Sequence, residues 1–212
     1  MDLSKYAALS DFLSNSWSDV VSGFWKKYPN PYSTHVLTED VLERKLLANG
    51  RLYTRRLLSK TNPLPAWGSM VFKSNMKSMV HIVEESVVDP AEQKMTVYTW
   101  NTSYVNMMDV QERLTIAPTS DPSVTEVRRE GWVDSSLTGF RRVLRQFGIT
   151  RWRSNAKKAF LGYQTVMNGA GDSSNRHIKE RAMDSIKEAK DKAKLKAINI
   201  ASMTKIVTDK SL

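Results

Sequence analysis

From Val36 to about Asp134 apolar and polar residues alternate in short runs, and after Ser136 the period changes from two to about 3.6 for one long stretch ending near Asn168. Strands followed by a single long helix can bury their apolar faces together if the sheet curls round the helix, which predicts an α+β layer. The strand runs are "HVLTEDVLERKLL", "LYTRRLLSK", "MVHIVEESVV", "MTVYTW", "MMDVQERLTI" and "VTEVRREGWV". Asn49-Gly50 suits a tight hairpin between the first two. The turn-like "DPAEQ", "NTSYVN" and "APTSDPS" separate later ones, so an antiparallel meander of about six or seven strands is expected.

Before the strands, Ser16 and Asp19 are spaced as a capping box, and Trp17, Val20, Val21, Phe24 and Trp25 share one face, predicting a helix over 16–27. "PNP" at 29–31 stops it, because proline lacks an amide donor and disfavours helical geometry in the residue before it. The segment "KKYPNPYSTHVLTED" is too polar and proline-broken for core. The chain leaves it in an extended turn.

At 212 residues the chain allows one domain and an extension, 1–169 and 170–212, the latter a charged helical or flexible tail. No run approaches the roughly 18 apolar residues of a membrane-spanning helix. The N-terminus "MDLSKYAALS" has neither the apolar core of a secretory signal nor the Arg-rich, acid-free character of a matrix-targeting helix. With no cysteine, disulfides, thiolate metal sites and thiol nucleophiles are excluded; His35, His81 and His177 are too scattered to predict a metal site, and no cofactor is expected. The net charge of +10 favours anionic partners: nucleic acid, phosphorylated ligands or an acidic lipid surface.

On the long helix Leu137, Phe140, Leu144 and Phe147 form one stripe, and the same spacing continues through Arg151, Asn155 and Lys158. Either the inward face turns from apolar to cationic, or the helix bends or projects past the sheet and these charges are solvated. Lys60 shares a strand face with Leu58 by the period-two rule. It directly precedes "TNPLPAWGSMVFKSN", a long connection in which Pro63, Leu64, Pro65, Trp67, Met70, Val71 and Phe72 form either a lid that contacts membrane or a loop folded on its own core. Curved sheet, long helix, cationic end and apolar lid together describe a container for an acidic phospholipid.

"YPNPYSTHVLTED", "RRLLSKTNPLPAW", "SVVDPAEQKMTVYTWN" and "REGWVDSSLTGF", in this order over about residues 12–168, resemble the PRELI family of intermembrane-space lipid carriers. The resemblance implies a curved seven-stranded antiparallel sheet wrapped on a long C-terminal helix around a lipid cavity, a helix-grip or START-like fold. It also implies a mitochondrial intermembrane-space location and shuttling of phosphatidic acid between outer and inner membranes. A small helical partner of the twin CX9C type would form a 1:1 heterodimer with the chain, and contact with acidic membrane would be transient. Family phosphate-binding positions carry over onto Lys27, His35, Lys60, Arg151, Asn155 and Lys158. A phosphatidylserine carrier of the same family and a basic nucleic-acid-binding module are the alternatives. The second lacks zinc-finger, RRM or KH signatures, so nucleic acid is not an expected partner, and no catalytic motif marks the chain as an enzyme.

Overall fold

Seven strands form one antiparallel sheet in the order β1-β7-β6-β5-β4-β3-β2 in the computed structural model, which describes residues 4–61 and 79–168. The elements are β1 (Lys5–Leu13), α1 (Trp17–Phe24), β2 (Val36–Leu46), β3 (Leu52–Thr61), β4 (Met79–Asp89), β5 (Lys94–Asn101), β6 (Asp109–Pro118), β7 (Thr125–Asp134) and α2 (Arg141–Asn168). The six expected strands are β2 to β7. The seventh is β1, which pairs with β7 from Lys5↔Val133 to Leu13↔Thr125 and which local patterning did not reveal. In "KYAALSDFL" apolar residues fall in both phases, and its partner strand is more than a hundred positions away, so pairing rather than alternation makes it a strand.

Helix α1 starts as expected: the Ser16 hydroxyl caps the Asp19 amide at 3.3 Å and donates to the Asp19 carboxylate at 2.6 Å. It ends at Phe24 rather than Lys27. Trp25 is the C-cap, and the Lys27 carbonyl is taken by the Asn30 side chain at 2.6 Å.

One core cluster lies beneath α1, where Val20, Val21 and Phe24 meet Met95, Ile116 and Val127 of the sheet and Tyr163 of α2, whose hydroxyl donates to the Val20 carbonyl. A second holds Ile149, Trp152 and Ala156 of α2 against Ala7 and Val133. Burying one such large side chain contributes about 1.5–3 kcal/mol. Trp152 lies so close to the sheet that a Cβ on Gly131 would overlap its ring, so only glycine fits there.

The buried line of α2 is Leu144, Gly148, Trp152, Ala156 and Tyr163, which corrects the stripe read from the sequence. Leu137 and Phe140 precede the helix, Phe140 is 45% exposed, and Phe147 is half-buried. Spacings of three and of four both mark plausible lines on a helix, and contact with β7 and β1 selects the one carrying Trp152. Among the described residues no helix is long and apolar enough to cross a membrane.

Candidate functional site

Because α2 lies chiefly over β7 and β1, the concave face of the remaining strands is left partly open beneath it. A cavity of about 230 Å³ occupies this space. Its apolar walls are Leu58 of β3, Val80 and Ile82 of β4, Val97 of β5 and Leu114 of β6, closed by Trp152, Ala156 and Ala159 of α2. These strand residues face inward together because their cross-strand partners share a phase, as in Leu58↔Ile82 and Val97↔Leu114. An outer recess of about 490 Å³, lined by Tyr32, Thr34, Phe147, Thr150, Ser154 and Lys158, adjoins it, and His35, Thr61, Arg151 and Asn155 line both. Those four residues, with Lys60 on the cavity side and Lys158 on the recess side, form the rim.

The rim gathers residues from three elements. The Thr61 amide donates to the His35 carbonyl at 2.9 Å and Val36 pairs with Lys60, so His35 and Lys60 meet where the β2–β3 ladder ends. Lys60 points inward in phase with Leu58, as expected, and α2 brings Arg151, Asn155 and, further out, Lys158 to the same place. Burial, with Lys60, Lys158 and Arg151 adding their charge, pushes the His35 imidazole down to about 4, so it is neutral at pH 7. Burial also lowers the Lys60 ammonium, Arg151 lowers it further, and Glu112 opposes both. Arg151 is lowered by burial as well. Lys60 pairs with no carboxylate among the described residues.

Lys27 stands apart from that group. It lines the cavity, but its ammonium is 2.9 Å from a Glu84 carboxylate oxygen and 3.5 Å from the centre of the Phe24 ring. Its charged neighbours are Glu84, Arg56 and Arg129 rather than the rim cations, and burial pulls it down to about 8 against the attraction of Glu84. Glu84 also accepts from Arg56 Nε at 2.9 Å, and Arg56 reaches Glu39 at 2.7 Å. Burial alone would raise the Glu84 carboxyl, but Lys27 and Arg56 outweigh it and hold it below the ordinary range. On the facing wall Glu112 accepts from Arg129 at 2.8 Å and from the Trp152 indole at 2.8 Å.

Sequence reasoning missed these paired charges on the cavity wall. Their signal was present: Arg56 keeps phase with Leu58 and Lys60, and Glu84 with Ile82 and Ser86, so each charge sits on the buried face of its own strand. Asn101 was missed too. It accepts from the Val110 amide at 2.8 Å and donates to the Ser103 and Met108 carbonyls at 2.9 Å each, setting the β5–β6 connection that lines the cavity. The proline corner is held by buried Asn30, which accepts from the Tyr32 amide at 3.0 Å. The lid residues Pro63, Leu64, Pro65, Trp67, Met70, Val71 and Phe72 lie outside the described residues.

A family model, the PRELI-like family, matches residues 18–172. The chain belongs to the PRELI-like family. Mouse "PRELI domain-containing protein 1, mitochondrial" is 43% identical over 192 residues, spanning 90% of this chain and 87% of that protein. Baker's yeast "Protein UPS1, mitochondrial" is 31% identical over 160 residues, 75% of this chain and 90% of that one. Among solved structures, TTHA0849 from Thermus thermophilus superposes with a TM-score of 0.55 at 14% identity, over 79% of this PRELI-like chain and all of its own. The Zhui aromatase/cyclase of a Streptomyces species gives 0.54 at 10% identity, over 81% and 98%. At such identities the likeness establishes the fold, a helix-grip, and leaves function to the site.

Proposed function

We propose that this PRELI-like protein is a mitochondrial lipid carrier whose cavity takes phosphatidic acid, and that it moves this lipid through the intermembrane space between outer and inner membranes. The observation that carries the reading is the cationic rim, Lys60, Arg151 and Lys158 with neutral His35 and the Asn155 amide beside them, where the apolar cavity meets its outer recess. A phosphate monoester drawn out of water needs several charge-assisted hydrogen bonds to offset its desolvation, while acyl chains need apolar walls. The mitochondrial setting follows the names of the mouse and yeast relatives.

A headgroup bearing phosphate alone fits better than one carrying an added ammonium. Among the described residues both carboxylates on the wall already have partners, Glu84 with Lys27 and Arg56, and Glu112 with Arg129 and Trp152. Lys27 is therefore a support of the site through Glu84, and the direct phosphate donors are the rim residues. The cavity acts as a container and no chemical step is assigned to it.

Transfer of fluorescent phosphatidic acid, phosphatidylserine and phosphatidylcholine between liposomes tests this. Lys60→Ala, Arg151→Glu and Lys158→Glu are each expected to cut phosphatidic acid transfer by about tenfold or more with the thermal transition unchanged, since one charged donor contributes about 1.5–3 kcal/mol. Wild-type transfer in all three variants refutes the rim as headgroup site. Preference for phosphatidylserine would refute the choice of cargo alone.

A further inference from the structure

Helix α2 has no Asp or Glu in 28 residues, yet carries Arg141, Arg142, Arg145, Arg151, Arg153, Lys157 and Lys158. A helix whose outer face is merely solvated commonly carries both signs, three or four residues apart. Asp134 accepts from Arg145 at 2.7 Å and lies within electrostatic reach of Arg141, and Asp11 of β1 lies within reach of Lys157.

The outer face is also apolar. Val143 is 58% exposed, Phe140 45% and Leu161 43%. Phe140 stays in helical phase because its carbonyl accepts from the Leu144 amide at 3.0 Å. At 100° per residue, Phe140, Val143, Ser154, Lys158 and Leu161 fall in a sector of about 60°, opposite the buried line through Trp152, with Lys157 beside it. Ser154 and Lys158 line the outer recess, so the recess that adjoins the cavity lies between the two apolar ends of this stripe.

We propose that this stripe of α2 is the surface by which the protein docks on a bilayer containing anionic phospholipid, with Phe140, Val143 and Leu161 entering the interface and the flanking cations meeting lipid phosphates. A cation-rich, acid-free face complements such a surface and not a zwitterionic one, and apolar side chains between the cations suit the boundary between headgroups and acyl chains. Docking this way would bring the cavity opening to the membrane, where a lipid could pass between bilayer and cavity without its chains meeting water. The membrane as occupant rests on the lipid-carrier reading.

The full-length protein would be floated with vesicles of phosphatidylcholine, with and without phosphatidylglycerol. That anionic lipid is not the proposed cargo, so flotation reads docking rather than extraction. Uptake of a soluble short-chain phosphatidic acid is measured in parallel. Val143→Glu combined with Leu161→Glu is expected to lower flotation with anionic vesicles about tenfold and leave short-chain uptake unchanged, whereas Tyr98→Glu, on a half-exposed side chain of the sheet, floats like wild type. Lys157→Glu alone should give a several-fold loss, and it decides the matter if the double variant is unfolded. Wild-type flotation of the folded variants overturns the proposal, as does unchanged flotation with loss of a co-purifying protein, which would make the stripe a protein interface. Failure of wild type to take up the short-chain lipid would sink the carrier reading while flotation still judges the docking face.

Discussion

His35 is where the electrostatics of the rim can be read directly. Its ring is pushed from 6.5 to about 4 by burial and by the charges of Lys60, Lys158 and Arg151. Between those two pH values the unfolded chain holds a proton at His35 and the folded chain does not, so this residue makes stability fall as pH drops through that window. His35→Gln should flatten the decline, recovering at most about 3 kcal/mol near pH 4, less because the residue is half-buried and partly screened. Urea midpoints of both proteins across pH 4 to 7 check this, and parallel curves would place His35 away from the rim cations. A bound phosphate would raise the same pKa, so affinity for a phosphate headgroup should increase on acidification in wild type and not in the variant. Lys60 was legible as inward-facing from its phase with Leu58. That Lys27 pairs with Glu84 was not, because these residues are far apart in sequence and meet only across the assembled sheet.

At the scale of elements, the proline corner and α2 hold each other. A Cβ on Gly162 would collide with the Asn30 side-chain amide, and Asn30 in turn bonds the Lys27 carbonyl and the Tyr32 amide. Gly162→Ala should therefore displace the corner and cost about 1–3 kcal/mol, the usual effect of overpacking, while also weakening phosphatidic acid binding because the chain from Tyr32 to His35 shifts. Differential scanning calorimetry with a binding titration tests both, and a variant unchanged in both would show that the corner is not held by that contact. The corner itself was legible from "YPNPY", since proline alone dictates where α1 cannot continue. The helix was legible in existence and at its C-terminal end, but it starts at Arg141 and not just after Ser136. Its buried line was not, because Leu144–Trp152–Tyr163 and Phe140–Phe147–Lys158 are both plausible helical stripes.

For the whole molecule, a net charge of +10 and the exposed apolar side chains of Val41, Leu42 and Leu46 on edge strand β2 favour association with something else. We expect the chain alone to aggregate, and co-expression with a small twin CX9C protein to yield a soluble 1:1 complex in size-exclusion chromatography. A lasting monomer indifferent to such proteins would refute this. Local pattern was enough to determine six strands, two helices, their order and the proline corner, since backbone sterics and hydrophobic periodicity act within a few residues. The same patterns brought Arg151, Asn155 and Lys158 together, because they lie within two turns of one helix. Tertiary structure alone decided that β1 closes the sheet on β7, that Trp152 settles on Gly131, and that Lys27 is held by Glu84 while His35 and Lys60 meet α2 at the rim. Those choices depend on which distant surfaces exclude water together, and no short stretch of chain carries that information.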